Sequence, residues 1–251
     1  MSSAAAGAAA PPARPNPRWA VAEQVTDALR ARWGRQLVAV GVHGQLAHGD
    51  DTDGSGVELI VVTRSAEAGP SAGARRIDGV IVDISVIAAE EYLRHARTLT
   101  TLWPMTADQY ITTKPVHDPD DWFARLRDTH IAHLAQTPAY TFASLAREAW
   151  CRAQQTQIYA RRLAEWFETE SAMIMLGEAR LATAIVDGLL TRTYYRDRAD
   201  ALRRAGVASA HVYDLGQRLT RYAQELARRG RPVDGRIEDL VGPDRADLVG
   251  P

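Results

Sequence analysis

Two carboxylates sit inside strongly apolar stretches, Glu58 in VELIVVT and Asp83 in GVIVDISVI. A buried carboxylate needs a partner, so Asp83 in the middle of such a run reads as a site residue rather than a packing one. Glu58 reads the same way, although strand starts are often solvated. Ahead of both runs GVHGQLAHGDDTDGSG, with a glycine turn at Gly44, Gln45 directly after it, and His43 and His48 flanking it. A glycine turn lets backbone amides approach phosphate oxygens. Carboxylates on neighbouring strands can converge on one point and hold a hard cation. Histidines beside such a pocket can move a proton or bind a ligand, whereas a histidine alone is more often structural. Asp50, Asp51 and Asp53 are most simply turn residues. No metal ligand is assigned; Glu58, Asp83 and Asp53 are the carboxylates nearest to that role.

The elements that must position these groups follow from hydrophobic spacing. Trp19 to Arg32 carries apolar residues at helical intervals and ends at Gly34. QLVAVGVHG, VELIVVT and GVIVDISVI are short apolar runs bounded by glycine or turn residues; the first reads as a buried strand, and the other two as a second and a third strand. DDTDGSG and EAGPSAGA read as loops. A helix is expected over Ala88 to Ala96, and prolines at 104, 115 and 119 break up the stretch from Trp103. Beyond Pro119 the strand signal ends and long Ala/Leu/Arg-rich helices are expected, at about Asp121–Gln136, Tyr140–Phe167, Ser171–Tyr195 and Val212–Arg229. The fold class is therefore α+β, a mixed sheet with helices followed by a C-terminal helical bundle. The expected division is a disordered leader over 1–17, an α/β domain over 18–118, a helical domain over 119–230 and a tail over 231–251.

Composition narrows the function classes. With 30 basic and 31 acidic residues among 251, the formal charge is −1, which disfavours a bulk nucleic-acid binder. The first part is net acidic and the helical part net basic. One cysteine, Cys151, excludes a disulfide framework; on a helix it reads as a small core residue. No apolar run reaches the roughly 20 residues of a membrane span, and the leader has no signal-peptide pattern, so a cytoplasmic location is expected. His130 and His133 lie at helical spacing and read as a solvated face in the absence of a third metal ligand. Trp103 with Pro104 reads as structural at the domain junction. The expected partner is a small molecule, not nucleic acid or membrane.

The sequence resembles the kanamycin nucleotidyltransferase family. That family carries a Gly-Ser turn and then Ser-Asp-x-Glu or Ser-Asp-x-Asp at the next strand. Here the turn is Gly44-Gln45 and the second element is Ser55-Gly56-Val57-Glu58, at the family's separation. LWPMTADQYITTKPVHD (Leu102 to Asp118) is similar to the family's Asp-Trp-Pro-Leu-Thr segment and following strand. RRGRPVDGRIEDL is similar to its closing segment. The resemblance covers about Trp19 to Leu240. It implies a polymerase-β-like nucleotidyltransferase fold, transfer of a nucleotide from an NTP with Mg²⁺ to a hydroxyl of a small molecule, and a homodimer. It also implies a general base on a C-terminal helix. Glu148, with Arg152 four residues on, is one match for that base and its lysine partner, with Arg152 toward the nucleotide. Counting from Pro115 puts the pair nearer Arg152 and Thr156.

This chain departs from the family at two motif positions. Gly56 stands where the family has its first metal-binding aspartate, and Gln45 where it has the phosphate-contacting serine. Glu58 matches the second carboxylate, and Asp83 a third. Both replacements fall at the same phosphate and metal site. Three readings follow. The first is a kanamycin-nucleotidyltransferase-like enzyme acting on a small hydroxylated or cationic molecule, using NTP and Mg²⁺. The second is a repurposed, metal-independent enzyme acting on a small secondary metabolite through Asp83, Glu58, His43, His48 or Glu148. The third is a non-catalytic small-molecule binding protein.

Overall fold

The computed structural model describes residues 16–237 and 239. The expected leader up to residue 15 and most of the expected tail after residue 237 lie outside the described residues. The chain divides into two compact units. Of the described residues, the first comprises those up to Glu90 together with Lys114–Phe123; the second comprises Glu91–Thr113 and those from Ala124 on.

The first unit opens with α1 (Pro17–Trp33), whose start is fixed by local chemistry. The Asn16 side chain accepts from the Arg18 amide, and Pro17 fills a position whose missing N–H has no helical partner to lose. Then follow β1 (Leu37–His43), the short α2 (Gly44–His48), β2 (Val57–Thr63), β3 (Gly73–Ile77), β4 (Val80–Ala88) and β5 (Lys114–His117). The sheet order is β3-β4-β2-β1-β5. β2 and β4 are parallel; the other neighbours are antiparallel. The three strands expected from apolar runs are β1, β2 and β4. Alternation divides their side chains between two faces. Val40, Val42, Val57, Leu59, Val61 and Val82 join Val21, Ala22 and Val25 of α1 in one buried core.

β3 and β5 were not visible in the apolar pattern. β3 is exposed along most of its length, and Gly73 and Ala74, expected in a loop, belong to it. It pairs with β4 through the two-residue turn Asp78-Gly79, with φ of 47° and 83°, so the Asp-Gly pair is the hairpin signal in this stretch.

The second unit is helical. It holds α3 (Ala89–Ala96, its first two residues in the first unit), α4 (Trp103–Thr106), α5 (Asp108–Thr112), α6 (Trp122–Gln136, likewise begun in the first unit), α7 (Ala139–Glu165), α8 (Thr169–Thr191), α9 (Arg198–Arg204) and α10 (Val212–Arg228). Buried alanines at 143, 146, 149, 153 and 160 put small side chains on one face of α7, so that Val186 and Leu189 of α8 and Leu219 and Leu226 of α10 pack in the same core. The four long helices fall within a few residues of their expected spans. Among the described residues no helix is long and apolar enough to cross a membrane.

Two sequence expectations in this unit are corrected. Cys151 is exposed, because its position on α7 faces away from the alanine stripe. His130 is wholly buried rather than solvated. Its Nδ1 lies 2.6 Å from the Ala96 carbonyl, and the Trp103 indole donates to its Nε2 at 3.2 Å. That pattern is the neutral ring with its proton on Nδ1, and burial holds its pKa below the usual histidine value. Trp103 is buried beside it and meets Phe142 edge-on at 5.2 Å.

Candidate functional site

His43 ends β1, and the strand register sets it opposite Glu58 of β2, which in turn pairs with Asp83 of β4. Paired residues share a face, so the three form one row across three adjacent strands. Their chain neighbours Val42, Val57, Leu59 and Val82 point into the α1 core, so the row lies on the opposite face. Glu58 and Asp83 are exposed and His43 is half-buried. His43 Nδ1 stands 3.6 Å from Glu58 Oε2. That is ion-pair range, and the pair is close enough for the carboxylate to stabilise a protonated ring.

Gly44 follows at φ 70°, the left-handed region. The Glu58 carboxylate lies against this glycine, with Oε2 1.9 Å from where a Cβ would stand; the positive φ is what favours glycine here, because the exposed Glu58 side chain could turn aside. Gln45 begins a latch. Ser55 Oγ donates to Gln45 Oε1 at 2.7 Å and accepts from the Thr52 amide at 2.9 Å, tying the β1–β2 loop to α2. His48 is the last residue of α2 and is half-buried.

The loop is held from its other side by residues that sequence reasoning missed. The Arg18 guanidinium donates to the Ser55 carbonyl at 2.9 Å and pairs with Asp51 at 3.4 Å; both side chains are about nine-tenths buried. Asn16 Nδ2 donates to the same Asp51 oxygen at 2.7 Å. Asp51 is therefore a structural anchor, more than the turn residue expected. Asp50 and Asp53 are exposed. Asn-Pro at 16–17 was the legible signal for the cap; Arg18 and Asp51 are too far apart in sequence for any local pattern to link them.

On the other side of the row, Arg76 of β3 pairs with Ile81, two residues from Asp83, and so lies on the same face. Glu148 and Arg152 are exposed, one turn apart on α7, in the second unit.

A Mg²⁺–nucleotide complex does not fit the donors present. Gly56 supplies no ligand atom, and a Cβ built on it would lie 2.8 Å from the Ile81 carbonyl oxygen. Asp51 is engaged with Arg18 and Asn16. Among the described residues no three His, Cys, Asp or Glu side chains gather as a metal shell.

No protein-family model matches the chain, and no curated protein matches it. Among solved structures the chain is similar to a nucleotidyltransferase-like protein from Exiguobacterium sibiricum, at 13% identity and a TM-score of 0.43. The likeness covers 90% of this chain and 86% of that one.

Proposed function

We propose that this protein is a nucleotidyltransferase-like protein, of the kanamycin type in its motifs, that takes a small hydroxylated or cationic molecule at the sheet row. It works on that molecule with its own acid and base groups instead of a Mg²⁺–nucleotide complex. The observation that carries this reading is the in-register row His43, Glu58 and Asp83, with His43 Nδ1 3.6 Å from Glu58. Two exposed carboxylates on neighbouring strands attract an ammonium group. His43 is placed to accept a hydrogen bond from a bound hydroxyl, the position of a general base, and Glu58 stabilises the ring when it carries a proton. The Gln45–Ser55 latch and the Arg18–Asp51 pair keep the loop beside the row fixed, which such chemistry needs.

Calorimetric titration with kanamycin, a polyhydroxylated cation, tests this. The expected result is saturable binding that chelation by EDTA leaves unchanged and that the double variant Glu58→Gln, Asp83→Asn weakens at least tenfold. Equal affinity in the double variant would overturn the reading.

A further inference from the structure

We infer that this chain closes the nucleotide half of its own site with two of its own groups. The Glu58 carboxylate fills the cradle at the Gly44 turn, and the Ile81 carbonyl fills the space of a side chain at residue 56. The inference rests on the nucleotidyltransferase-like reading of the turn but not on the cationic ligand, so a failure of kanamycin binding leaves it standing.

The first closure is electrostatic. A turn glycine with positive φ leaves one face of the backbone bare, and that is the face a phosphate oxygen would approach. Here Glu58 Oε2 lies 1.9 Å from the position that a Cβ on Gly44 would take. The cradle thus already holds an anionic oxygen, covalently tethered to β2 and paired with His43. A polyphosphate approaching this turn meets a like charge unless the Glu58 side chain turns away. Gln45, at the position of the phosphate-contacting hydroxyl, accepts from Ser55 through its side-chain oxygen.

The second closure is steric. Residue 56 directly precedes the in-register start of the parallel pair, Val57 opposite Val82. The Ile81 carbonyl lies 2.8 Å from the position of a Cβ at 56, closer than a carbon and a backbone oxygen normally approach. The β4 backbone therefore stands where a side chain at residue 56 would need room. Replacing Gly56 with aspartate does not simply return a ligand, because the backbone of β4 has to move first.

The experiment measures binding of inorganic tripolyphosphate, and of ATP with Mg²⁺, by calorimetry, with thermal melting as the fold readout. The unmodified protein is expected to bind neither at millimolar concentration. Glu58→Ala is expected to bind tripolyphosphate at least tenfold more tightly than the unmodified protein. Gly56→Asp is expected to gain no Mg²⁺-dependent ATP binding. Gly56→Ala, which adds only the Cβ, is expected to lower the melting temperature by about 3 °C or more. Micromolar ATP binding by the unmodified protein or by Gly56→Asp overturns the inference. So does an unchanged tripolyphosphate affinity in Glu58→Ala. Should Gly56→Asp not fold, Gly56→Ala decides the second closure, and a melting temperature matching the unmodified protein overturns it.

Discussion

His130 in the helical unit and His43 in the sheet unit are the same residue type in opposite surroundings. His130 is sealed between the Ala96 carbonyl and the Trp103 indole, with both ring nitrogens engaged by its own chain. His43 stands half-exposed at a strand end, facing a carboxylate. The same contrast holds for acids. Asp187 of α8 accepts from Tyr222 at 2.7 Å and Tyr195 at 3.3 Å, and burial together with that carboxylate pushes both phenols well above their usual range. Asp200 is nearly buried, takes the Arg196 amide and pairs with Arg203 and Arg204. Glu58 and Asp83 instead lie exposed on a sheet face. Polar groups that hold the helical unit together are buried in it; the carboxylates of the sheet row lie where solvent reaches them.

The sharpest way to break this contrast is to damage the sealed group. His130→Leu leaves the Trp103 N–H and Ala96 carbonyl without their partner and is expected to cost about 2–4 kcal/mol, read by urea denaturation. The same residue gives a pH signature. Burial lowers its folded-state pKa, so the unfolded chain binds the proton first. The stability it contributes is whole above about pH 6.5 and falls as pH drops through that value toward the lowered folded pKa. His117 is shifted in the same direction, by burial and then by Arg30. Melting temperature is expected to fall from pH 7.5 to 5.5, with a shallower slope in His130→Leu.

Arg18→Met removes the cation from a pair that is about nine-tenths buried and leaves the Asp51 carboxylate with the Asn16 amide but no countercharge there. The expected cost is about 2–3 kcal/mol, and kanamycin affinity is expected to weaken several-fold as the loop loosens. This variant alone joins the two behaviours, since it is structural in kind but borders the row.

Phe167 tests a local cost. It takes φ 62° between α7 and α8, and the Glu168 and Phe167 amides close back on the Leu163 and Ala164 carbonyls, a helix end that favours glycine. Its side chain is 91% exposed. Phe167→Gly is expected to raise stability by about 1 kcal/mol in chemical denaturation.

The smallest effect on stability is expected where the effect on ligand binding is largest. Glu58→Gln and Asp83→Asn should each leave unfolding free energy within about 0.5 kcal/mol while weakening kanamycin binding. Strong destabilisation by either would place the row with the sealed groups and remove the contrast.

The sequence by itself determined whatever depends on near neighbours. Apolar runs bounded by turn residues marked β1, β2 and β4, and helical spacing marked the four long helices, because both periodicities are local. It also singled out the polar residues of the row, since a charge in an apolar strand is conspicuous. β3 and α9 were not legible, and β5 was signalled by the family resemblance but not by its own pattern: the two edge strands carry no continuous apolar run, and α9 is a short polar stretch behind its Asp197 cap. What the tertiary structure alone decided was juxtaposition. Strand register set His43 opposite Glu58 and Glu58 opposite Asp83. Chain folding brought Arg18 to Asp51, buried His130 and left Cys151 outside. The crowding at Gly44 and Gly56 belongs to the same class, because a glycine in a sequence shows freedom of the backbone but not which group from a neighbouring strand has taken the space.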